Sequence, residues 1–364
     1  MENMVGHAFS DFYRGKKIFL TGHTGFKGSW MLAMMKELGA EVTGYALLPD
    51  SNTKALYHII DGDTLCNSVI ADIRDIGKLK QAIEKARPDI VFHLAAQPLV
   101  RYSYTHALET FEVNTMGTAN LLEAVKDFDH KCVVVVITTD KVYENNEWHY
   151  PYRETDRLGG YDPYSASKAA AEIVTDSYRN SFFNTNAFDS HQKAVAVARA
   201  GNVIGGGDWS MDRIIPDIIR ALENKQAIMI RNPASVRPWQ HVLEPLAGYL
   251  LLGARLWQTP AKFSSAWNFG PYSQDTFTVS ELVQKAIEVW GEGKFTIEKQ
   301  EEQPHEAGLL KLDINKAINV LGWHPAYSAA ESITHTMEWY RSPDKRKMTI
   351  DQVRNYLSSI AYGN

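Results

Sequence analysis

The sequence predicts an α/β protein with a doubly wound parallel sheet and a smaller, interleaved α/β part. Short apolar or β-branched runs alternate with longer stretches of helical spacing, a glycine-rich turn joins the first strand to the first helix, and the pattern changes after Asn202. The strands expected from the runs are Lys17 to Thr21, Glu41 to Ala46, Ile90 to Leu94, Lys131 to Thr139 and Ala194 to Ala200. Between them, apolar residues at helical intervals predict helices over Ser29 to Leu38, Gly77 to Ala86, Leu108 to Phe128 and Ser165 to Ser181.

Beyond Asn202 come GGGDW, several prolines and isolated helical pieces, with strand candidates near Ala227 to Ile230 and Phe295 to Glu298. The helical stretch Glu244 to Trp257 and the strand Ala266 to Phe269 are expected to return to the large sheet. The organisation expected is therefore 1–204 with 243–270 as a dinucleotide-binding domain, and 205–242 with 271–364 as a substrate domain.

With 364 residues, 45% of them hydrophobic, the chain can bury a large core. A formal charge of -5 argues against a nucleic-acid or anionic-membrane partner. The two cysteines, Cys66 and Cys132, lack metal-ligand spacing and the density of a disulfide framework, which suits a reducing cytoplasm. No apolar run reaches the length of a membrane span, and the first residues do not read as an export signal. No metal site is expected.

The turn GHTGFKG follows the first strand and opens the first helix. In a Rossmann-type unit, Gly22 permits the tight turn, Gly25 lets the backbone approach a pyrophosphate, and Gly28 allows strand and helix to pack closely. A glycine turn of purely structural purpose is the plainer reading of such spacing; its place between strand and helix favours a dinucleotide. Thr24, Phe26 and Lys27 share the loop, while Leu94, Ala95 and Ala96 are assigned to the same cofactor site. The second strand ends without the acid that usually binds the adenosine ribose, and no Arg or Lys follows until Lys54, so NAD is favoured over NADP. Asp72 and Ile73 are placed near the adenine, with a solvated loop acid as the bland reading of Asp72.

Tyr164 and Lys168, four residues apart, fall on one helical face. Using a tyrosine as base near pH 7 needs its pKa lowered by roughly three units, which a lysinium and an oxidised nicotinamide can supply. Such a pair alone is usually ordinary surface. Here it follows a glycine loop and the strand VVVVITTD, which sets Thr138, Thr139 and Asp140 at the carboxyl edge of the sheet, where such folds bind ligands.

TGHTGFKG, HLAAQPLV, NTMGTANLLEAV, TTDKVY and YSASK together resemble the extended short-chain dehydrogenases/reductases over nearly the whole chain. TTDKVYENNEW, GGYDPYSASK, RAGNVIGGGDW and RNPASVRPWQHVLEPLAGYL are similar to the CDP-glucose 4,6-dehydratases of deoxysugar and O-antigen biosynthesis. The resemblance implies that Tyr164 accepts the C4 hydroxyl proton of CDP-glucose, that Lys168 holds the nicotinamide ribose and that Thr139 hydrogen-bonds the C4 oxygen. Asp140 would protonate the departing C6 hydroxyl. Relatives acting on dTDP-glucose carry a glutamate after this aspartate as the C5 base; Lys141 stands here, either stabilising the enolate or acting as base, or else as a solvated loop lysine.

Asn202, Arg213 and Arg237 are candidates for the substrate pyrophosphate, Gln97 and Arg101 for the sugar, and His305, with Glu306 beside it, for the nucleotide. Trp209 and Trp239 read equally as core or pocket wall, and His93 as a packed strand histidine. A homodimer or homotetramer paired through Leu108 to Phe128 and Ser165 to Ser181 is implied by the same resemblance. A nucleotide-sugar 4-epimerase and a noncatalytic NAD-sensing protein are the competing functions.

Overall fold

The structure is a computed structural model that describes residues 11–49, 51, 54–297 and 309–361. Its centre is a seven-stranded, all-parallel sheet. The strands are β1 (Lys17–Thr21), β2 (Glu41–Ala46), β3 (Asn67–Ile70), β4 (Ile90–His93), β5 (Cys132–Thr138), β6 (Lys193–Ala200) and β7 (Ala266–Phe269). Their spatial order, β7-β6-β5-β4-β1-β2-β3, reverses direction between β1 and β4 and so creates a ligand crevice at the carboxyl ends of those two strands.

β5 and β6 are buried along their whole length, which is why CVVVVIT and the Ala/Val run of β6 read as continuous apolar segments. β3 gives no such signal. It lies at the sheet edge and its four residues NSVI are exposed or half-buried, so the edge pairing with β2 rather than apolar burial defines it.

Among the described residues, nine longer helices organise the layers and the substrate side. They are α1 (Phe26–Glu37), α2 (Ile76–Ala86), α3 (Gly117–Lys126), α4 (Pro163–Ser181), α5 (Ile214–Glu223), α6 (Leu243–Gln258), α7 (Val279–Trp290), α8 (Ala329–Arg341) and α9 (Lys345–Ala361). The single helix expected over Leu108 to Phe128 is instead a helix Ala107–Phe111, a π-turn Glu112–Met116 and α3. The π-turn inserts an extra residue where Asn114 points inward: its side chain bonds the Gln97 backbone N–H and carbonyl and donates to Ser167 of α4. α1 also begins earlier than Ser29, because Gly25 rather than a polar cap ends the turn.

Among the described residues, the smaller part contains three two-stranded ladders: Val203–Ile204 with Gln240–His241, Val236–Arg237 with Phe277–Thr278, and Ile228–Ile230 with Phe295–Ile297. α7 and α8 each start with a reciprocal capping box, Thr278 with Glu281 and Ser328 with Glu331. α9 packs back on α1, where Arg354 donates to Glu37 at 2.7 Å.

Candidate active site

The glycine turn is built by close approach. Gly22 has φ of 74°, and a Cβ there would lie 2.8 Å from the Ala95 backbone nitrogen. A Cβ on Gly28 would come within 2.1 Å of the Gly22 carbonyl oxygen. Gly25, extended and without a side chain, leaves the start of α1 open, and its N–H donates back to Gly22. The result is an anion-accepting helix terminus beside Leu94, Ala95 and Ala96, at the point where strand order reverses. The Thr21 hydroxyl accepts from the Ala95 N–H and Thr24 donates to Leu47, fixing both sides of the crevice. The Phe26 ring end lies beside Gly205.

Toward the β2–β3 edge, Leu47 and Leu48 are exposed beyond β2. The Arg74 guanidinium, 2.6 Å away, holds the Asp72 carboxyl below its usual range. Tyr45 donates to the Asp72 carbonyl, and Ile73 packs on Gly117 at the start of α3. His93 is a buried strand histidine between Thr21 and Thr118, and burial drives its pKa down to about 3, so it stays neutral.

α4 begins with Asp162 accepting from the Ser165 N–H at 3.0 Å and with Pro163 in the first turn, so the helix start is firmly defined. This aims buried Tyr164 and Lys168 at the end of β5. The Lys168 ammonium donates to the Ile137 carbonyl at 3.2 Å; burial brings its pKa down to about 8, opposed by Glu172. Burial pushes the Tyr164 phenol up to about 12, although the Thr139 hydroxyl bonded to it pulls the other way. The protein by itself therefore keeps Tyr164 protonated, and its activation depends on positive charge brought by a ligand.

Thr139 donates to one oxygen of the Asp140 carboxylate at 2.9 Å and Asn202 to the other at 3.2 Å. The carboxyl group sits directly on Gly201, where a Cβ would lie 2.1 Å from it. Lys27 reaches the same cluster from α1: burial, then the nearby charges of Arg213 and Lys168, push its pKa down to about 7. The Lys141 N–H turns back to Thr139 in a short 3-10 turn, and its side chain is half-buried.

Asp140, Asn202, Gln240, Tyr272 and Lys311 line one cleft with the loop after β7. Arg213 pairs with buried Asp208 at 2.9 Å, and Arg101 with Asp212 at 3.3 Å. The Gln97 side chain is engaged by Leu99 and Thr110. Arg237 lies on the ladder facing Phe277 and donates to the Val236 carbonyl. Trp239 is buried, whereas Trp209 is half-buried against Tyr340. His305 and Glu306 lie outside the described residues. Among the described residues, no group of three or more His, Cys, Asp or Glu side chains could hold a metal ion.

Sequence reasoning missed Glu172, Arg199, Gly201 and Gln240. Two of these carried a signal: Glu172 continues the helical face of Tyr164 and Lys168, and Arg199 is a cation inside the small apolar run of β6. Gly201 and Gln240 had none, since their importance rests on contacts between distant segments.

A glycine turn at the strand-order reversal, with a buried Tyr/Lys couple two strands away, defines an extended short-chain dehydrogenase/reductase. Within that class the chain belongs to the GDP-mannose 4,6 dehydratase family, whose model matches residues 19–336. It is 50% identical over 354 residues to a CDP-glucose 4,6-dehydratase of Salmonella typhimurium, covering 96% of this chain and 98% of that one. A dTDP-glucose 4,6-dehydratase from Streptomyces venezuelae, solved with NAD bound, superposes with a TM-score of 0.75 at 25% identity, covering 89% of this chain and 96% of that one. A UDP-glucose 4-epimerase from Thermotoga maritima reaches a TM-score of 0.76 at 22% identity, covering 89% and 98%, and shows the shared fold.

Proposed function

We propose that the chain is an NAD-dependent CDP-glucose 4,6-dehydratase, converting CDP-D-glucose to CDP-4-dehydro-6-deoxy-D-glucose. The observation that carries the dehydratase chemistry is the buried Asp140 held between Thr139, Asn202 and Gly201 beside Tyr164. A 4-epimerase needs the tyrosine but no acid for C6. The 50% identity to the Salmonella enzyme supports the choice of CDP-glucose.

NAD would be held by Gly22, Thr24, Gly25, Phe26, Lys27 and Gly28, by Leu94, Ala95 and Ala96, by Asp72 and Ile73 toward the adenine, and by Tyr164 and Lys168. The turn fits, because Gly22 and Gly28 let it close on the Ala95 backbone and on itself where a Cβ would collide, and Gly25 leaves the start of α1 without a side chain. When bound, NAD supplies a reversible two-electron acceptor for oxidation at C4 and reduction at C6. Tyr164 takes the proton of the C4 hydroxyl, with Thr139 holding that oxygen and Lys168 favouring the phenolate. The 4-ketone acidifies the C5 hydrogen; Lys141 removes it or stabilises the resulting enolate. Asp140 protonates the departing C6 hydroxyl, and water leaves. Arg213, Arg237 and Asn202 hold the nucleotide pyrophosphate, and Gln97 and Arg101 approach the sugar.

The functional division we propose is 1–204 with 243–270 for the cofactor and 205–242 with 271–364 for the nucleotide sugar. Leu108, Met116 and Ile173 are exposed on the Ala107–Met116 segment and α4, which supports a homodimer or homotetramer pairing these elements. No described helix is long and apolar enough to cross a membrane, and a cytoplasmic enzyme is the reading we adopt.

The test is incubation with NAD and, separately, CDP-glucose, dTDP-glucose, GDP-mannose and UDP-glucose, followed by product mass and alkaline absorbance. Loss of one water from CDP-glucose alone is expected. Turnover of another nucleotide sugar would move the base assignment and keep the chemistry; an isomeric product without water loss would indicate an epimerase. Lys141→Met should abolish solvent exchange of the C5 hydrogen, and retained exchange would remove Lys141 from that step.

A further inference from the structure

A buried polar network that the reacting groups do not use joins α4 to the ends of β5 and β6. Glu172 of α4 is four residues after Lys168 and is almost fully buried. Arg199 of β6 binds it bidentately, Nε at 2.9 Å from one oxygen and Nη2 at 2.5 Å from the other. Thr138, the last residue of β5, donates to the same carboxylate at 2.6 Å. From Arg199 the network continues to the Tyr143 hydroxyl at 2.6 Å and the Glu154 carbonyl, and from Tyr143 to Asn268 of β7. One side chain of α4 is thereby bonded to β5 and β6 and, through them, to β7 and the 143–154 segment.

A structural brace does not need charges, since a buried pair is often no more stabilising than apolar residues of the same volume. The position of this pair suggests another purpose. Lys168 acts on Lys27 and neutral His93 and is acted on by the Glu172 carboxylate of its own helix, while Arg213 and the second carboxylate, Asp140, act on Lys27 and on Tyr164. Of the two carboxylates, Asp140 lies where substrate is handled. Glu172 is the permanent counter-charge, and Arg199 limits how strongly it acts.

We infer that Glu172 and Arg199 form a positioning pair that holds Lys168 in its charged state and orientation during turnover, and so sets the alkaline limit of activity. Without Glu172, nothing opposes the effect of burial on Lys168, so a smaller fraction of it carries the charge that favours the Tyr164 phenolate. This inference rests on the proposed roles of Tyr164 and Lys168 in oxidation at C4.

The test is the pH profile of kcat/KM for wild type, Glu172→Gln and Arg199→Gln in the holoenzyme, with folding checked by circular dichroism. Glu172→Gln removes the charge that raises the Lys168 pKa, so its alkaline limb should move to lower pH by about one unit, the size of a typical close-charge effect. Arg199→Gln frees the Glu172 charge, so its limb should move to higher pH. Opposite shifts are the signature; a merely structural pair would lower activity at every pH and leave the limb in place. If either single variant fails to fold, the double variant Glu172→Gln/Arg199→Gln leaves no unpaired buried charge. Its limb should still lie below that of wild type. Unmoved limbs, or shifts of both singles in one direction, overturn the inference. A wild type that oxidises no nucleotide sugar would instead remove the functional reading on which it stands.

Discussion

The turn after β1 and the cluster at the end of β5 lie on the same edge of one sheet, yet they are made in opposite ways. The turn works through missing atoms: side chains at Gly22 and Gly28 would collide with the backbone it closes against, and backbone N–H groups provide its polarity. The cluster works through buried side chains whose charges act on one another, with Lys27, Asp140, Tyr164, Lys168 and Arg213 drawn from distant parts of the chain. The first is governed by sterics and should respond to volume. The second is governed by desolvation and should respond to charge.

The sharpest break in that comparison is Tyr164→Phe, which preserves volume and removes one hydroxyl. Turnover should fall by roughly 10²–10⁴-fold while NAD affinity stays near wild type, read by steady-state kinetics and NAD titration. Gly201→Ala joins the two modes, since its methyl group would collide with the Asp140 carboxyl. A displacement of about 1 Å should lower kcat by roughly 10²-fold without a matching loss of NAD binding. If kcat is preserved, Asp140 is not held by Gly201.

Gly28→Ala adds volume to the turn and leaves every charge in place. NAD affinity should weaken by at least about tenfold, or 1.4 kcal/mol, in isothermal titration, with a smaller effect on kcat at saturating NAD. The wild-type pH profile sharpens the other half: Lys168 is charged below about pH 8 and neutral above it, so activity should decline as pH rises through that region. The smallest effect belongs to Asp162→Ala, which removes the cap of α4 and should cost about 1 kcal/mol in denaturant unfolding.

The structure has the doubly wound sheet that the sequence predicted, and the outcomes for individual elements follow from their surroundings. β1 and β2 have the expected bounds, and β4, β5 and β6 differ only at their ends, because central strands buried on both faces must be apolar throughout. β3 was invisible because an edge strand needs only half of its surface covered. The break in Leu108 to Phe128 was hidden as well, since the apolar spacing of the segment is helical and only the inward bonds of Asn114 favour a π-turn. In the site, YSASK and the glycine turn were legible because their members are close in sequence. The Glu172–Arg199 pair and the seat of Asp140 on Gly201 were not.

By itself, the sequence determined the alternation of strands and helices, the dinucleotide turn and the pairing of Tyr164 with Lys168, because each is encoded within a few turns of local chain. Tertiary structure alone decided that Lys27 and Arg213 share a field with Lys168, that Asn202 and Thr139 hold Asp140, and that Arg199 answers Glu172. Charges act through space and strengthen as water is excluded, so their partners are set by folding distance and burial and not by separation along the chain.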